Sequence, residues 1–161
     1  TDIESANSLI DKHKLFGRQI AAMFVTSRRV YKRWPEERFA EVANMILGAN
    51  VGVTIIGGPG ENNAIQGFCE KAGLPTDSAV TFSDLGTMSA FLKKCKLFVG
   101  NDGGPKHLAV AMNTPTVTVF QNDPFEYWTP PNDPRHIAVG GVGMSPSADE
   151  VGKKVMNLLQ S

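Results

Sequence analysis

The chain has 161 residues, with 16 acidic and 16 basic side chains and 42% apolar residues. That length holds one domain with a full core, and the balanced charge gives no global field favouring nucleic acid or an anionic membrane. No apolar run reaches the roughly 20 residues of a membrane span and no secretory signal is visible, while the two cysteines, Cys69 and Cys95, form neither a C-x-x-C pair nor a metal set, so a reducing cytoplasm fits.

In chain order, Ile3 to Leu15 reads as a polar amphipathic helix and Arg18 to Val25 as an apolar strand. Glu36 to Leu47 is a helix by its spacing, with Phe39, Val42, Ala43 and Ile46 at i, i+3, i+4 and i+7, and it stops at Gly48. Val51 to Ile56 is a strand rich in β-branched residues, which turns at Gly57-Gly-Pro-Gly60 into a helix over Glu61 to Ala72. Ala79 to Phe82 is a short strand, and Ser83 is the expected N-cap of a helix over Asp84 to Cys95. Cys69 and Cys95 fall on the apolar sides of their helices and read as core. Leu97 to Val99 and Thr116 to Phe120 are strands flanking a helix over 105–112. Asn122 to Pro134 is a proline-rich loop, Arg135 to Val139 a last strand, and Ala148 to Leu159 a terminal helix with Val151, Val155, Leu158 and Leu159 aligned. His13 and His136 read as surface residues.

Strand and helix alternate with short connections, which is the pattern of an α/β, Rossmann-like doubly wound domain with a parallel sheet. Ligands bind such sheets beyond the carboxyl ends of the strands. Every polar motif here directly follows a strand: 26–35, 57–61, 83–85, 100–107 and 121–124. The richest is Gly100-Asn-Asp-Gly-Gly-Pro-Lys-His107. Pro105 suits the first turn of a helix, the glycines let an anion approach the backbone, and the helix N–H groups face it. Asp102 adds a carboxylate that accepts hydrogen bonds from sugar hydroxyls, or alternatively shapes the turn through its own backbone. There is no GxGxxG after the first strand, no G-x-x-x-x-G-K-[ST] and no metal spacing, which argues against nicotinamide, flavin, P-loop and metal chemistry.

Asn101-Asp-Gly-Gly-Pro-Lys-His-Leu-Ala109 resembles the N-D-T-G-P-M-H-L-A signature of the ADP-heptose:lipopolysaccharide heptosyltransferases. Lys32-Arg-Trp-Pro-Glu-Glu-Arg-Phe39 resembles that family's K-R-W-P-x-E-R-F, and Gly57-Gly-Pro-Gly-Glu61 its G-G-P-x-E. Ser83-Asp-Leu85 and the helix after it are more weakly similar to T-S-L-x-E-L-A-x-L-L. The segments run in the family's order and cover most of the chain between Val25 and Pro124. Gly103 stands where the family usually has Thr, Lys106 where it usually has Met, and Gln121-Asn-Asp-Pro124 is one residue shorter than G-P-T-D-P.

The resemblance implies the C-terminal, donor-binding half of a GT-B glycosyltransferase that transfers heptose from ADP-heptose to the lipopolysaccharide inner core. The opening Thr1 in place of Met fits a piece of a longer protein. The acceptor, a lipid-linked core oligosaccharide, and the catalytic Asp base then belong to the missing N-terminal half, and this chain alone binds donor without transfer. Such a protein is cytoplasmic, peripheral to the inner membrane at most. The resemblance assigns Lys32 to the donor's phosphates, where a compact ammonium is suited, and Glu61 to the ribose hydroxyls. Helix N-terminal electrostatics, favourable by about 0.3–1 kcal/mol, also accounts for Glu61. Asp102 and Lys32 carry the catalytic roles, and Thr26, Ser27, Gly103, Gly104, Lys106 and His107 complete the donor-binding set. For Lys106 the choice is between a phosphate contact and solvent, and for His107 between the phosphates and a structural role. Arg28 and Arg29 read as a solvated loop, Trp34 as packing beneath it, and Phe82 to Leu85 as a wall for the base. No cofactor and no metal are expected. A non-catalytic nucleotide-sugar-binding module and a sugar-nucleotide epimerase of the same fold remain as alternatives.

Overall fold

The computed structural model describes residues 4, 7, 8, 10, 11, 17–124, 130 and 132–161. Among these, six strands form one sheet: β1 (Ile20–Phe24), β2 (Gly52–Gly57), β3 (Ala79–Thr81), β4 (Leu97–Asn101), β5 (Thr116–Phe120) and β6 (His136–Gly140). The helices are α1 (Glu36–Gly48), α2 (Asn62–Ala72), α3 (Leu85–Lys94), α4 (Gly104–Ala111) and α5 (Ala148–Gln160). All strand pairs are parallel and the order is β3-β2-β1-β4-β5-β6, so the expected doubly wound Rossmann-like sheet is present. The order reverses between β1 and β4, and that is where the loops after these strands diverge and leave a crevice.

The central strands are buried on both faces, which is why they read as unbroken apolar runs rather than alternating ones. Ala21, Met23, Leu97 and Val99 point to one face, where Phe39 and Ile46 of α1, Phe68 of α2 and Val151 and Val155 of α5 cover them. Ala22, Phe24 and Phe98 point to the other, beneath Met88, Phe91 and Leu92 of α3 and Ala109 of α4. The two central strands lie unusually close at one position. A Cβ on Gly100 would stand 2.5 Å from the Phe24 carbonyl oxygen and 2.8 Å from its Cβ, so glycine alone fits there.

Three expectations change. The N-cap of α3 is Asp84, not Ser83: its Oδ1 accepts from the Thr87 N–H at 2.7 Å, and a carboxylate also complements the helix N-terminus. His136 is buried rather than at the surface, because the β5–β6 register sets it opposite Thr116, whose Oγ1 lies 2.9 Å from its Nδ1. Cys95 ends α3 as its C-cap rather than lying within it, though both thiols are buried as expected. The helix expected over Ile3 to Leu15 falls mostly outside the described residues, with Glu4, Asn7, Ser8, Ile10 and Asp11 helical. His13 and residues 125–129 and 131 of the proline-rich loop also lie outside them.

Candidate functional site

A cavity of about 670 Å³ opens at the carboxyl ends of β1, β2 and β4, within the size range of small-molecule sites. The loop after β1 contributes Ser27, Arg28, Arg29 and Arg33, the turn after β2 Gly58, Pro59 and Glu61, and the turn after β4 the run Asp102 to Pro105. Phe24 and Met88 supply apolar surface.

Each wall has a local cause. Asn101 is buried at the end of β4 and is fully engaged: its Oδ1 accepts from the Trp34 N–H at 3.1 Å, and its Nδ2 donates to the carbonyls of Val25 and Thr26. This one side chain therefore ties the loop after β1 to β4. Trp34 packs beneath the loop as expected, edge-on to Phe39, with Nε1 donating to the Pro146 carbonyl at 2.8 Å. Arg33 Nε donates to the Ser27 carbonyl, and Arg29 reaches across to Asp123 after β5, 3.3 Å away. At the second wall Glu61 sits at the N-cap of α2 and closes its own turn, Oε1 accepting from the Gly58 N–H at 2.7 Å. Oε2 has no protein partner among the described residues.

At the third wall α4 begins at Gly104 with Pro105 in its first turn, so its leading N–H groups lack intrahelical acceptors and face the cavity with the positive end of the helix dipole. Gly103 packs against Phe24, whose ring would meet a Cβ there at 3.2 Å, so a larger residue would crowd this wall. Asp102 does not bond its own backbone. Its Oδ1 takes the Lys106 ammonium at 3.3 Å and faces His107 Nε2 at 3.7 Å, while Oδ2 has no protein partner among the described residues. Burial pulls the Lys106 ammonium below the ordinary lysine value, and the charge and hydrogen bond of Asp102 oppose that pull.

Of the residues expected at a site, Ser27, Glu61, Asp102, Gly103 and Gly104 meet on the cavity wall. Thr26, next to Ser27, is buried, and its Oγ1 has no partner among the described residues. Lys32 closes the 3-10 turn Val30–Lys32, and its side chain lies outside what is described. His107 is half-exposed beside Asp102. Lys106 reaches neither solvent nor the cavity: it is fully enclosed, because an i+4 position one helical turn after Asp102 carries it inward against that carboxylate and the Phe120 ring. Arg28 and Arg29 are exposed, as expected of a solvated loop, and they also line the open cavity together with Arg33. The cluster of positive charge was visible in the sequence, but its direction depends on Asn101 and Trp34 anchoring the loop. Phe82 to Leu85 do not line this cavity, whereas Met88 from the following helix does.

The ensemble gives three arginines, of which Arg29 is paired with Asp123 and Arg33 donates to the Ser27 carbonyl, a helix N-terminus for an anion, two carboxylate oxygens for hydroxyl donors, and an apolar wall. Among the described residues no cluster of His, Cys, Asp or Glu is arranged to hold a metal, and no helix is long and apolar enough to cross a membrane.

Comparison with known proteins gives the family and the fold. Residues 2–158 match the model of glycosyltransferase family 9 (heptosyltransferase). The chain is 27% identical over 124 residues to lipopolysaccharide heptosyltransferase 3 of Escherichia coli, covering 73% of this chain and 36% of that protein. It thus spans about a third of the length of that relative. The ADP-heptose LPS heptosyltransferase II of E. coli shares the fold, with a TM-score of 0.76 and 20% identity over 98% of this chain and 51% of its own. E. coli heptosyltransferase WaaC, solved with ADP-2-deoxy-2-fluoro heptose, gives a TM-score of 0.66 at 20% identity, over 87% of this chain and 43% of its own. The chain belongs to glycosyltransferase family 9, the heptosyltransferases.

Proposed function

We propose that the 161 residues form one nucleotide-sugar-binding domain, the donor half of a two-domain glycosyltransferase, and that the cavity takes ADP-heptose for transfer to the lipopolysaccharide inner core. The observation that carries this reading is the pair of carboxylates, Glu61 and Asp102. Each turns one oxygen to the protein and leaves the other without a protein partner among the described residues, and both line the cavity that the start of α4 also lines. Two acceptors and an anion site in one cavity suit a molecule with hydroxyls at both ends of a diphosphate. Glu61 then accepts from the ribose, the α4 N-terminus with Arg28 and Lys32 holds the diphosphate, Asp102 accepts from a hydroxyl of the transferred sugar, and Met88 and Pro59 face the base. Ser27, Gly103, Gly104 and His107 border the phosphates, with Thr26 behind them. The family supplies the reaction type.

In the transfer, the acceptor hydroxyl oxygen bonds to the anomeric carbon as the bond from that carbon to the phosphate oxygen breaks. The bonding pair leaves with ADP, and the acceptor proton goes to a base on the partner half. Positive charge grows at the anomeric carbon and negative charge on the leaving phosphate. Asp102 stabilises the first, and the α4 amides with Lys32 the second, as preorganised electrostatic groups. The chain alone binds and does not transfer, and the intact protein works in the cytoplasm at the inner membrane's surface.

Titration calorimetry with ADP, UDP, GDP and ADP-heptose tests this. ADP and ADP-heptose should bind, with affinity falling as salt is raised, because the contacts are partly screened ionic ones. Absence of heat with every nucleoside diphosphate at millimolar concentration would overturn the reading.

A further inference from the structure

No lysine or arginine other than Lys106 is buried among the described residues. Taking an ammonium out of water is costly unless a counter-charge meets it, so its placement asks for a reason. Its surroundings come from three elements. Asp102, in the turn before α4, takes Nζ on Oδ1 at 3.3 Å. Phe120 of β5 presents its ring 5.7 Å from Nζ, and His136 of β6 is near enough for the ammonium to disfavour its protonation. Asp102 itself stands on the cavity wall, its Oδ2 without a protein partner among the described residues, next to the glycines at the start of α4.

A carboxylate in that place conflicts with a diphosphate on the α4 amides, because the two anions repel. The enclosed ammonium removes the conflict from behind the wall. We propose that Lys106 is a positioning residue for the donor: it fixes Asp102 through Oδ1 and offsets the repulsion between that carboxylate and a diphosphate, so that Oδ2 keeps its acceptor character and receives a sugar hydroxyl. This rests on the nucleotide-sugar reading of the cavity. Lys106 touches no ligand; it makes Asp102 compatible with one.

The test compares ADP with adenosine, which differ only in the phosphates, on wild type and three variants. Lys106→Met keeps the unbranched length without charge, Lys106→Gln keeps a donor without charge, and Lys106→Met with Asp102→Asn removes both charges. Both single variants should lose ADP affinity by about 5- to 20-fold, the repulsion of one uncompensated carboxylate at an effective dielectric between protein surface and water. Adenosine binding should stay unchanged. The double variant should regain ADP to within about twofold of wild type, while ADP-heptose stays weakened. Packing alone cannot produce that rescue. If Lys106→Met fails to fold by circular dichroism, Lys106→Gln decides. The inference is overturned if wild type binds ADP and neither single variant weakens it, if ADP and adenosine weaken together, or if the double variant is no better than the single. Wild type that binds no ADP overturns the reading of the cavity and this inference with it.

Discussion

Replacing Glu61 with Gln separates the two jobs assigned to one carboxylate. Oε1 is committed to the Gly58 N–H at 2.7 Å and holds the turn after β2. Oε2 is the acceptor available to a ribose hydroxyl. A Gln in the same rotamer keeps its oxygen on the Gly58 N–H, so its NH₂ faces the ribose and offers only donors. What is lost is one charge-assisted hydrogen bond, about 1.5–3 kcal/mol. Glu61 is only partly buried, so the hydroxyl exchanges a water for the carboxylate and the lower end applies. At about 1.4 kcal/mol per decade, ADP affinity should fall about tenfold. The sharper measurement is the preference for ADP over 2′-deoxyADP, because the deoxy ligand lacks one of the hydroxyls in question. Calorimetry on wild type should show a preference that shrinks toward unity in Glu61→Gln, with no change of melting temperature beyond a few degrees. An unchanged preference would mean that Glu61 only closes the turn.

Other outcomes concern the scaffold. Gly100→Ala should cost about 3 kcal/mol, the upper end for overpacking, since the added Cβ meets backbone of Phe24 rather than a flexible side chain; a urea-derived loss under about 1 kcal/mol would refute the close approach. Burial holds the His136 imidazole below its ordinary value of 6.5, so the unfolded chain binds the proton first. Stability is then complete above 6.5 and falls as pH drops from there toward the folded-state value, a slope that His136→Gln should flatten in urea melts. A wild-type slope of the opposite sign would contradict the burial. The Cys69 thiol is pushed up to about 11 and burial also raises Cys95, so a thiol reagent at about pH 8 should label neither until the protein unfolds; rapid labelling in native buffer would count against the packing of α2 and α3.

Much of this was legible because it depends on local signals. The apolar runs of β1 and β4, the 3.6-residue spacing of α1 and the glycine turns before Glu61 and α4 each state their structure within a few residues, and strand-to-helix alternation then forces the turns onto one sheet edge. What escaped depends on distant partners. A lysine in a helix reads as solvent-facing, and only its i+4 spacing from Asp102 hinted that Lys106 would turn inward. His136 is buried by its register against Thr116, which no window of sequence contains. Arg28, Arg29 and Arg33 border the cavity on a loop that Asn101, 67 residues from Trp34, ties to β4. Ser83 and Asp84 are both good caps, and the carboxylate won because it engages the N–H and the hydroxyl of Thr87 together.

On the proposed function, a nucleoside diphosphate binds at the switch point between β1 and β4. Amide chemical-shift mapping during an ADP titration tests it most directly. Binding there should give saturable shifts at Ser27, Gly58, Glu61, Gly103, Gly104 and Lys106. It is contradicted if those amides do not move at millimolar ADP, or if the shifts gather instead at the second cavity, of about 400 Å³, where Asp84, Gly86, Thr87, Ala90 and Lys94 form the lining.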